Sequence, residues 1–266
     1  MQPYPNLISD SLLVKETIGL LKSNGGFASA VEVVSHVMNI ADPDAELAKM
    51  LAADLIKKDP RIHLNGDRVE LVENGFDNRK LKETDYVVFD LETTGAKTPP
   101  CRITEIGAYR VKNGKIAGEF QSLVNPETII PEFIVQLTNI TDEMVKDAPK
   151  CAEIIPSFME FVGNSVLVAH NAPFDMRFLN HEIARIHQDF KVGNPYLCTV
   201  QLSRKLLPDI DNHRLNTVAE YYSIDLKNHH RASADAFATA KIFINLLGKL
   251  EEKGVKDLIG ARKGKF

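Results

Sequence analysis

The sequence predicts an α/β protein whose mixed sheet is flanked by helices and preceded by a small winged-helix-like domain. Three observations carry this expectation. The segment Tyr86-Val87-Val88-Phe89 begins abruptly after a polar stretch and has the composition of a strand buried on both faces. Two strand-like segments follow it, joined at Asn113-Gly114, after which helical and strand patterns alternate. Ahead of the polar stretch lie three segments of helical periodicity and then a short hairpin pattern.

In chain order, residues 8–24 carry apolar positions at helical spacing and stop at Gly25-Gly26. Residues 28–39 and 44–58 read as two more helices, the later one capped from Asp42-Pro43-Asp44. Arg61–Leu71 alternates about Asn65-Gly66, a tight-turn signal. Domain one therefore covers 1–72, and the polar residues 73–84 read as a linker. Domain two covers 85–250. Strands are expected at 85–91, 101–111, 116–124 and 165–169, and helices at 150–162, 174–187, 199–206, 215–222 and 232–250. Residues 251–266 read as a basic tail, with Arg262, Lys263 and Lys265 a solvated end.

Composition narrows the function classes. An apolar fraction of 44% and a charged fraction of 26% belong to an ordinary globular chain. No apolar run has the length of a membrane span, and the N-terminus lacks signal-peptide features, so a cytoplasmic protein without a membrane partner is expected. Three widely spaced cysteines with no CxxC pair indicate neither a disulfide framework nor a zinc site. The net charge is −4, divided as −3 over residues 1–80, −4 over 81–246 and +3 over the last twenty. That balance argues against a long non-specific grip on duplex DNA. It does not argue against a nucleic-acid hydrolase, whose catalytic acids count as negative until metal binds.

Five residues carry the chemistry: Asp90, Glu92, Asp175, His230 and Asp235. Side chains at i and i+2 of a strand share a face, so Asp90 and Glu92 can reach one metal pair. A bare Asp-x-Glu is weak evidence, and Asp44/Glu46 matches it at what reads only as a helix start. Context separates the two, because an apolar strand runs straight into Asp90 and Glu92 and then into Thr93-Thr94-Gly95. Asp175 follows strand 165–169 through His170-Asn171-Ala172-Pro173-Phe174, at the strand-to-helix junction where α/β folds place ligands. The blander role for Asp175 is to complement the helix dipole. His230 and Asp235 are five apart, about 140° around a helix. They serve one site only if His230 lies just before the helix and Asp235 one turn inside it. Small residues at Ala232, Ser233 and Ala236 would let that helix approach the sheet closely, and the neighbouring His229 is given little catalytic weight. Four gathered acids require cations, and oxygen ligands favour Mg²⁺ or Mn²⁺. A histidine beside them suits proton transfer near neutrality. Two divalent ions about 3.5–4 Å apart would stabilise both oxygens of an in-line displacement.

The strings VFDLETTG, RITEIGA, VAHNAPFD and HRASADA, in that order, resemble the motifs of the DEDDh exonuclease family. That family includes the proofreading epsilon subunit of bacterial replicative polymerases and the proofreading domain of the Gram-positive replicative polymerase. The resemblance covers residues 84–246. It implies a ribonuclease-H-like fold and stepwise 3′–5′ removal of nucleoside 5′-monophosphates from single-stranded ends. Asp90 would bridge two divalent metals, Glu92 and Asp235 would serve the first and Asp175 the second, and His230 would be the general base. The resemblance also puts Thr93 and Thr94 near the terminal nucleotide, Phe174 near a base or sugar, and Ile140, within Leu137–Thr141, as an apolar wedge. The blander role of Phe174 and Ile140 is core packing. Where many members carry an acid before Thr199, this chain has Cys198.

The expected activity is a stand-alone 3′–5′ exonuclease of DNA proofreading or repair, since no helicase, polymerase or second nuclease segment follows. DNA is the expected substrate, and RNA the alternative. The first domain could bind duplex DNA or, with its −3 charge, a replication or repair protein. A reading from a different class is an adaptor led by that domain with a vestigial nuclease. Gln201–Leu207 faintly resembles a sliding-clamp peptide but falls within an expected helix.

Overall fold

The computed structural model describes residues 4–57, 59–72, 79–226 and 229–264. The chain divides into two units, Met1–Gly75 with Ile183–Gly193, and Phe76–Glu182 with Asn194–Phe266.

The first unit holds strand β1 (Leu7–Ser9), helices α1 (Leu12–Ser23), α2 (Ala30–Met38) and α3 (Ala45–Ile56), and strands β2 (Phe27–Ser29), β3 (Ile62–Asn65) and β4 (Arg68–Leu71). Each helix starts at a side-chain cap. The Ser11 hydroxyl accepts from the Val14 amide, Ser29 from Glu32, and Asp44 from Glu46 and Leu47. These caps correct two boundaries. The first helix begins at Leu12, because Leu7–Ser9 pairs antiparallel with β9 (Phe190–Val192). The second begins at Ala30, because Phe27–Ser29 pairs with β4 to make a three-stranded sheet of order β2-β4-β3. Gly66, at φ 65, turns the β3–β4 hairpin. Val14, Leu21, Val33, Val34, Ala48, Ala52, Ile56 and Val69 form the core of this unit. Its inclusion of Ile183–Gly193 departs from the expected boundary at residue 72. Residues 73–78 of the expected linker lie outside the described residues, and Leu81–Glu83 form one 3₁₀ turn.

The second unit is built on a five-stranded sheet of order β10-β8-β5-β6-β7. Strands β5 (Tyr86–Thr93) and β7 (Lys115–Leu123) each pair antiparallel with β6 (Ile103–Lys112) between them. Strands β8 (Val166–Ala169) and β10 (Tyr196–Cys198) add in parallel beside β5. Between β7 and β8 lie the short helices α4 (Glu132–Thr138) and α5 (Asp142–Val145) and the longer α6 (Cys151–Val162). After β8 come α7 (Ala172–Ile186), α8 (Thr199–Leu206), α9 (Leu215–Tyr221), α10 (Ala232–Glu252) and α11 (Leu258–Lys263). Val88, Val166, Val168, Val218, Phe243 and Leu246 belong to one core cluster. Phe89 and Phe158 pack with ring centroids 6.0 Å apart.

Residues 251–263 are not a tail. The chain turns at Gly254 (φ 77), and Val255, Leu258 and Ala261 are buried in the core beside Leu250. Their spacing of three is helical, and Asp257 caps α11 by accepting from the Gly260 amide at 2.7 Å. Lys265 lies outside the described residues. Among the described residues, no helix is long and apolar enough to cross a membrane.

Candidate active site

The site grows from the pairing of β5 with β6. Asp90 lies opposite Gly107 and Glu92 opposite Glu105, so the two acids share one face and the first faces no side chain on its partner strand. The start of α10 fills that space. A Cβ on Gly107 would lie 2.3 Å from both the Ala232 carbonyl carbon and the Ser233 nitrogen. Glycine is required here by close approach, because the backbone of β6 touches the backbone of the helix. Ala232 and Ala236 are fully buried at the contact. One turn in, Asp235 joins the acids: carboxylate oxygens of Asp90, Glu92 and Asp235 lie within 4.8 Å of one another.

Glu105 anchors the helix start. It is fully buried, and its carboxylate accepts from Arg231 Nε at 3.0 Å, Arg231 Nη2 at 2.8 Å and the Ala232 amide at 2.9 Å. Gln121 Nε2 completes its partners at 3.2 Å. A buried carboxylate held by a guanidinium fork and a helix-start amide is well satisfied. Sequence reading missed this role. The available signal was an acid within the strand-like segment Ile103-Thr104-Glu105-Ile106, where both flanking isoleucines call for burial.

Asp175 reaches the cluster from the first turn of α7 and is itself buried. Its carboxylate accepts from the amides of Leu91 on β5 and of Asp175 itself, which lowers its pKa, but burial dominates and raises it well above the usual carboxylate range. Asp90 is likewise pushed well up, first by burial and then by Asp175, Glu92 and Asp235. Glu92 is raised to about 8 by burial, Asp235 and Glu105, with Arg231 opposing. These four carboxylates repel one another in a desolvated place, and either protonation or a bound divalent cation would relieve them.

The loop before α10 brings both histidines to Asp235. The Nδ1 of His229 lies 2.8 and 3.0 Å from the two Asp235 oxygens, and the His230 amide donates to Oδ2 at 3.1 Å. His230 has φ 67, and its ring stacks on His229 with centroids 3.8 Å apart. Burial and His229 lower the His230 pKa against the pull of Asp235. The ring that bonds Asp235 is that of His229, the neighbour given little catalytic weight, while His230 reaches Asp235 through its amide. The residue before His229 in the loop, Asn228, lies outside the described residues.

His170, at the end of β8, ties this region to its neighbours. Its Nε2 faces the His213 carbonyl at 3.0 Å and its Nδ1 the Thr199 hydroxyl at 2.9 Å. A carbonyl only accepts, so Nε2 carries the proton and Nδ1 receives the hydroxyl. Burial lowers its pKa to about 4, which keeps the ring neutral.

The remaining expected contacts fall differently. Thr93 and Thr94 are buried: the Thr93 hydroxyl donates to the Gly95 carbonyl at 2.8 Å, and the Thr94 hydroxyl accepts from the Arg102 amide at 3.0 Å. Both hydroxyls shape the exit from β5. Phe174 is half-buried, its ring tilted against Phe178 at a centroid distance of 4.9 Å with the Arg177 guanidinium over its face. Ile140 is not a surface wedge. It is fully buried with Ile130, Ile134 and Val145, because Asn139 (φ 56) ends α4 and turns the next side chain inward. Within that segment the exposed apolar residue is Leu137, at 47%. The clamp-like Gln201–Leu207 lies along α8, with Leu202 and Leu206 buried.

Residues 87–243 match the RNase T exonuclease family. The chain is 40% identical over 229 residues to the PolC-type DNA polymerase III of Caldanaerobacter subterraneus subsp. tengcongensis, covering 86% of this chain and 16% of the polymerase. The corresponding protein of Bacillus subtilis is 38% identical over 227 residues, with 85% and 16% covered. The chain thus spans about a sixth of the length of these relatives. A structure of exonuclease X in complex with 5′ overhanging duplex DNA matches with a TM-score of 0.56 and 27% identity, covering 67% of this chain and 99% of that one. Escherichia coli exonuclease I with a dT13 oligonucleotide, at 16% identity and a TM-score of 0.55, covers 64% of this chain and 42% of its own, and shares the fold. The central mixed sheet flanked by helices is the ribonuclease-H-like architecture of these enzymes, and the chain belongs to the RNase T exonuclease family.

Proposed function

We propose that this chain is a metal-dependent 3′–5′ exonuclease that shortens single-stranded DNA one nucleotide at a time, releasing nucleoside 5′-monophosphates, in proofreading or repair. The observation that carries the reading is the convergence of Asp90, Glu92, Asp175 and Asp235, two of which are raised well above the carboxylate range and a third to about 8. The donors are all oxygen, which fits Mg²⁺ or Mn²⁺. Asp90, Glu92 and Asp235 would hold one ion, and Asp90 with Asp175 a second. When bound, two such ions supply charge stabilisation at the attacking and leaving oxygens.

The chain's own groups do the rest. His230, with its lowered pKa, is neutral near pH 7 and takes the proton of the attacking water. Water adds to phosphorus, the bond to the 3′-oxygen of the penultimate nucleotide breaks, and its electron pair leaves with that oxygen. Thr93 and Thr94 hold the backbone turn beside the terminal nucleotide, and half-buried Phe174 offers a ring edge to a base or sugar. Leu137 takes the wedge role in place of Ile140, because it is the side chain of that segment free to meet a base. DNA is favoured over RNA because the matched relatives are named as DNA polymerases and exonuclease X was solved on DNA.

The N-terminal unit acts as a winged-helix-like module, joined by the linker region after residue 72. The exposed surface of α3 carries Leu47 and Met50 beside Glu46 and Lys49 rather than a row of cations, so its partner is a replication or repair protein rather than duplex DNA.

The test is Mn²⁺- or Mg²⁺-dependent digestion of matched 5′-labelled single-stranded DNA and RNA, with Asp90→Ala as the blank. A stepwise ladder on DNA that is absent from the blank supports the reading. A faster ladder on RNA transfers it to RNA, and no ladder on either refutes it.

A further inference from the structure

We propose that His229, His230 and Asp235 form a second cation site, selective for a borderline transition-metal ion of the Zn²⁺ type, whose occupation switches the nuclease off. The geometry lies in the loop before α10. His229 Nδ1 already sits 2.8 and 3.0 Å from the two oxygens of Asp235. The left-handed backbone at His230 (φ 67) turns two consecutive imidazoles to the same side, where they stack at 3.8 Å and 26°. One donor atom from each of the three residues lies within 4.8 Å of the others. Tetrahedral zinc with bonds of 2.0–2.1 Å needs donors about 3.3 Å apart, which small rotations of the exposed His229 ring and the half-buried His230 ring supply.

Donor chemistry separates this site from the acid cluster. Two imidazole nitrogens and one carboxylate suit Zn²⁺, Co²⁺, Ni²⁺ or Cu²⁺, whereas Asp90, Glu92 and Asp235 offer oxygen alone and suit Mg²⁺ or Mn²⁺. His229 is exposed, so an ion from solvent reaches it without unfolding. The two sites share Asp235. An ion held by the histidines withdraws that carboxylate from the acid cluster and removes the lone pair with which His230 would accept a proton. Binding of the ion stands on the three side chains alone, and its inhibitory effect rests on the exonuclease reading.

The experiment uses the full chain stripped of metal and titrated with Co²⁺, followed by its visible absorption, for the wild type, His229→Ala and Asp90→Ala. One Co²⁺ bound without a thiolate charge-transfer band, retained in Asp90→Ala and weakened at least tenfold in His229→Ala, supports the site. Equal affinity in His229→Ala, or a spectrum lost in Asp90→Ala and kept in His229→Ala, overturns it. In parallel, Zn²⁺ inhibition of Mn²⁺-dependent DNA digestion is measured for the wild type and His229→Ala, each against its own zinc-free rate. The half-inhibiting Zn²⁺ concentration should rise at least tenfold in His229→Ala, and an unchanged value overturns the switch. A protein that binds Co²⁺ as described but digests no DNA refutes the exonuclease reading and leaves the ion site standing.

Discussion

Gly107→Ala offers a sharp test of how the site is held together. The added Cβ would meet the Ala232 carbonyl carbon and the Ser233 nitrogen at 2.3 Å and the Ala232 oxygen at 2.5 Å, all of them backbone atoms that no rotamer change can move. Restoring ordinary contact near 3.4 Å requires α10 to retreat by about 1 Å at its first turn. That retreat stretches the 2.9 Å bond from the Ala232 amide to Glu105 toward 4 Å, and it draws Asp235 away from Asp90 and Glu92. Overpacking of this kind costs about 1–3 kcal/mol of stability, whereas a 1 Å misplacement of catalytic groups costs on the order of 10²-fold in rate. The expected outcome is a folded protein with a modestly lowered Tm, about 10²-fold slower digestion of 5′-labelled DNA and a raised Mn²⁺ requirement. Gly118→Ala on the adjacent strand is the control, since its Cβ would meet Arg110 and Phe161 at an ordinary 3.7 Å. If Gly107→Ala digests DNA as fast as Gly118→Ala, the helix start does not set the position of Asp235.

Four further outcomes are expected. Asp90→Ala or Asp175→Ala should nearly abolish digestion while leaving the fold intact by circular dichroism, and His230→Ala should cost on the order of 10²–10⁴ in rate; near-normal turnover in either acid variant would remove the assigned metal site. Stability of the metal-free protein should fall as pH rises from 4.5 to 8, because Glu92 binds its proton more tightly folded than unfolded. The carboxylate form therefore opposes folding, by at most about 5 kcal/mol above pH 8; Mn²⁺ should flatten the Tm profile, and Glu92→Gln should lessen its slope while Asp90 and Asp175, raised in the same way, keep the remainder. Glu105→Ala strands the Arg231 guanidinium and the Ala232 amide and should cost about 3–5 kcal/mol in urea unfolding. Finally, Ile140→Ala should lower stability by about 2–5 kcal/mol, while Leu137→Ala should leave Tm in place and raise KM for single-stranded DNA. The opposite pattern would return the wedge role to Ile140.

What was legible in the sequence depended on how local the determining contact is. The pairing of Asp90 with Glu92 on one face follows from the period of a strand, and the place of Asp175 follows from a strand running into a helix start. The caps at Ser11, Ser29 and Asp44 act within three residues, yet sequence reading identified only the last, because the first two compete with strands whose partners are distant. Leu7–Ser9 pairs with residues about 180 positions away, and no periodicity over three residues can announce that. The burial of Ile140 turns on one left-handed residue, Asn139, and the core role of Leu258 on a bend at Gly254.

The anchor of the candidate site was hidden for the same reason. Glu105 and Arg231 are 126 residues apart, and each alone is an ordinary charge. Once β6 pairs with β5, however, Glu105 faces Glu92 while Gly107 faces Asp90. A buried acid next to two others is tolerable only if cations and amides meet it, and the first turn of α10 supplies both through Arg231 and Ala232. The glycine admits the helix and the glutamate holds it, so Asp235 arrives over Asp90 as a consequence of two residues that never enter the acid cluster. Strand β6 therefore does for the fourth carboxylate what strand β5 does for the first two: it sets position through backbone register, and the helix carries that register to the site.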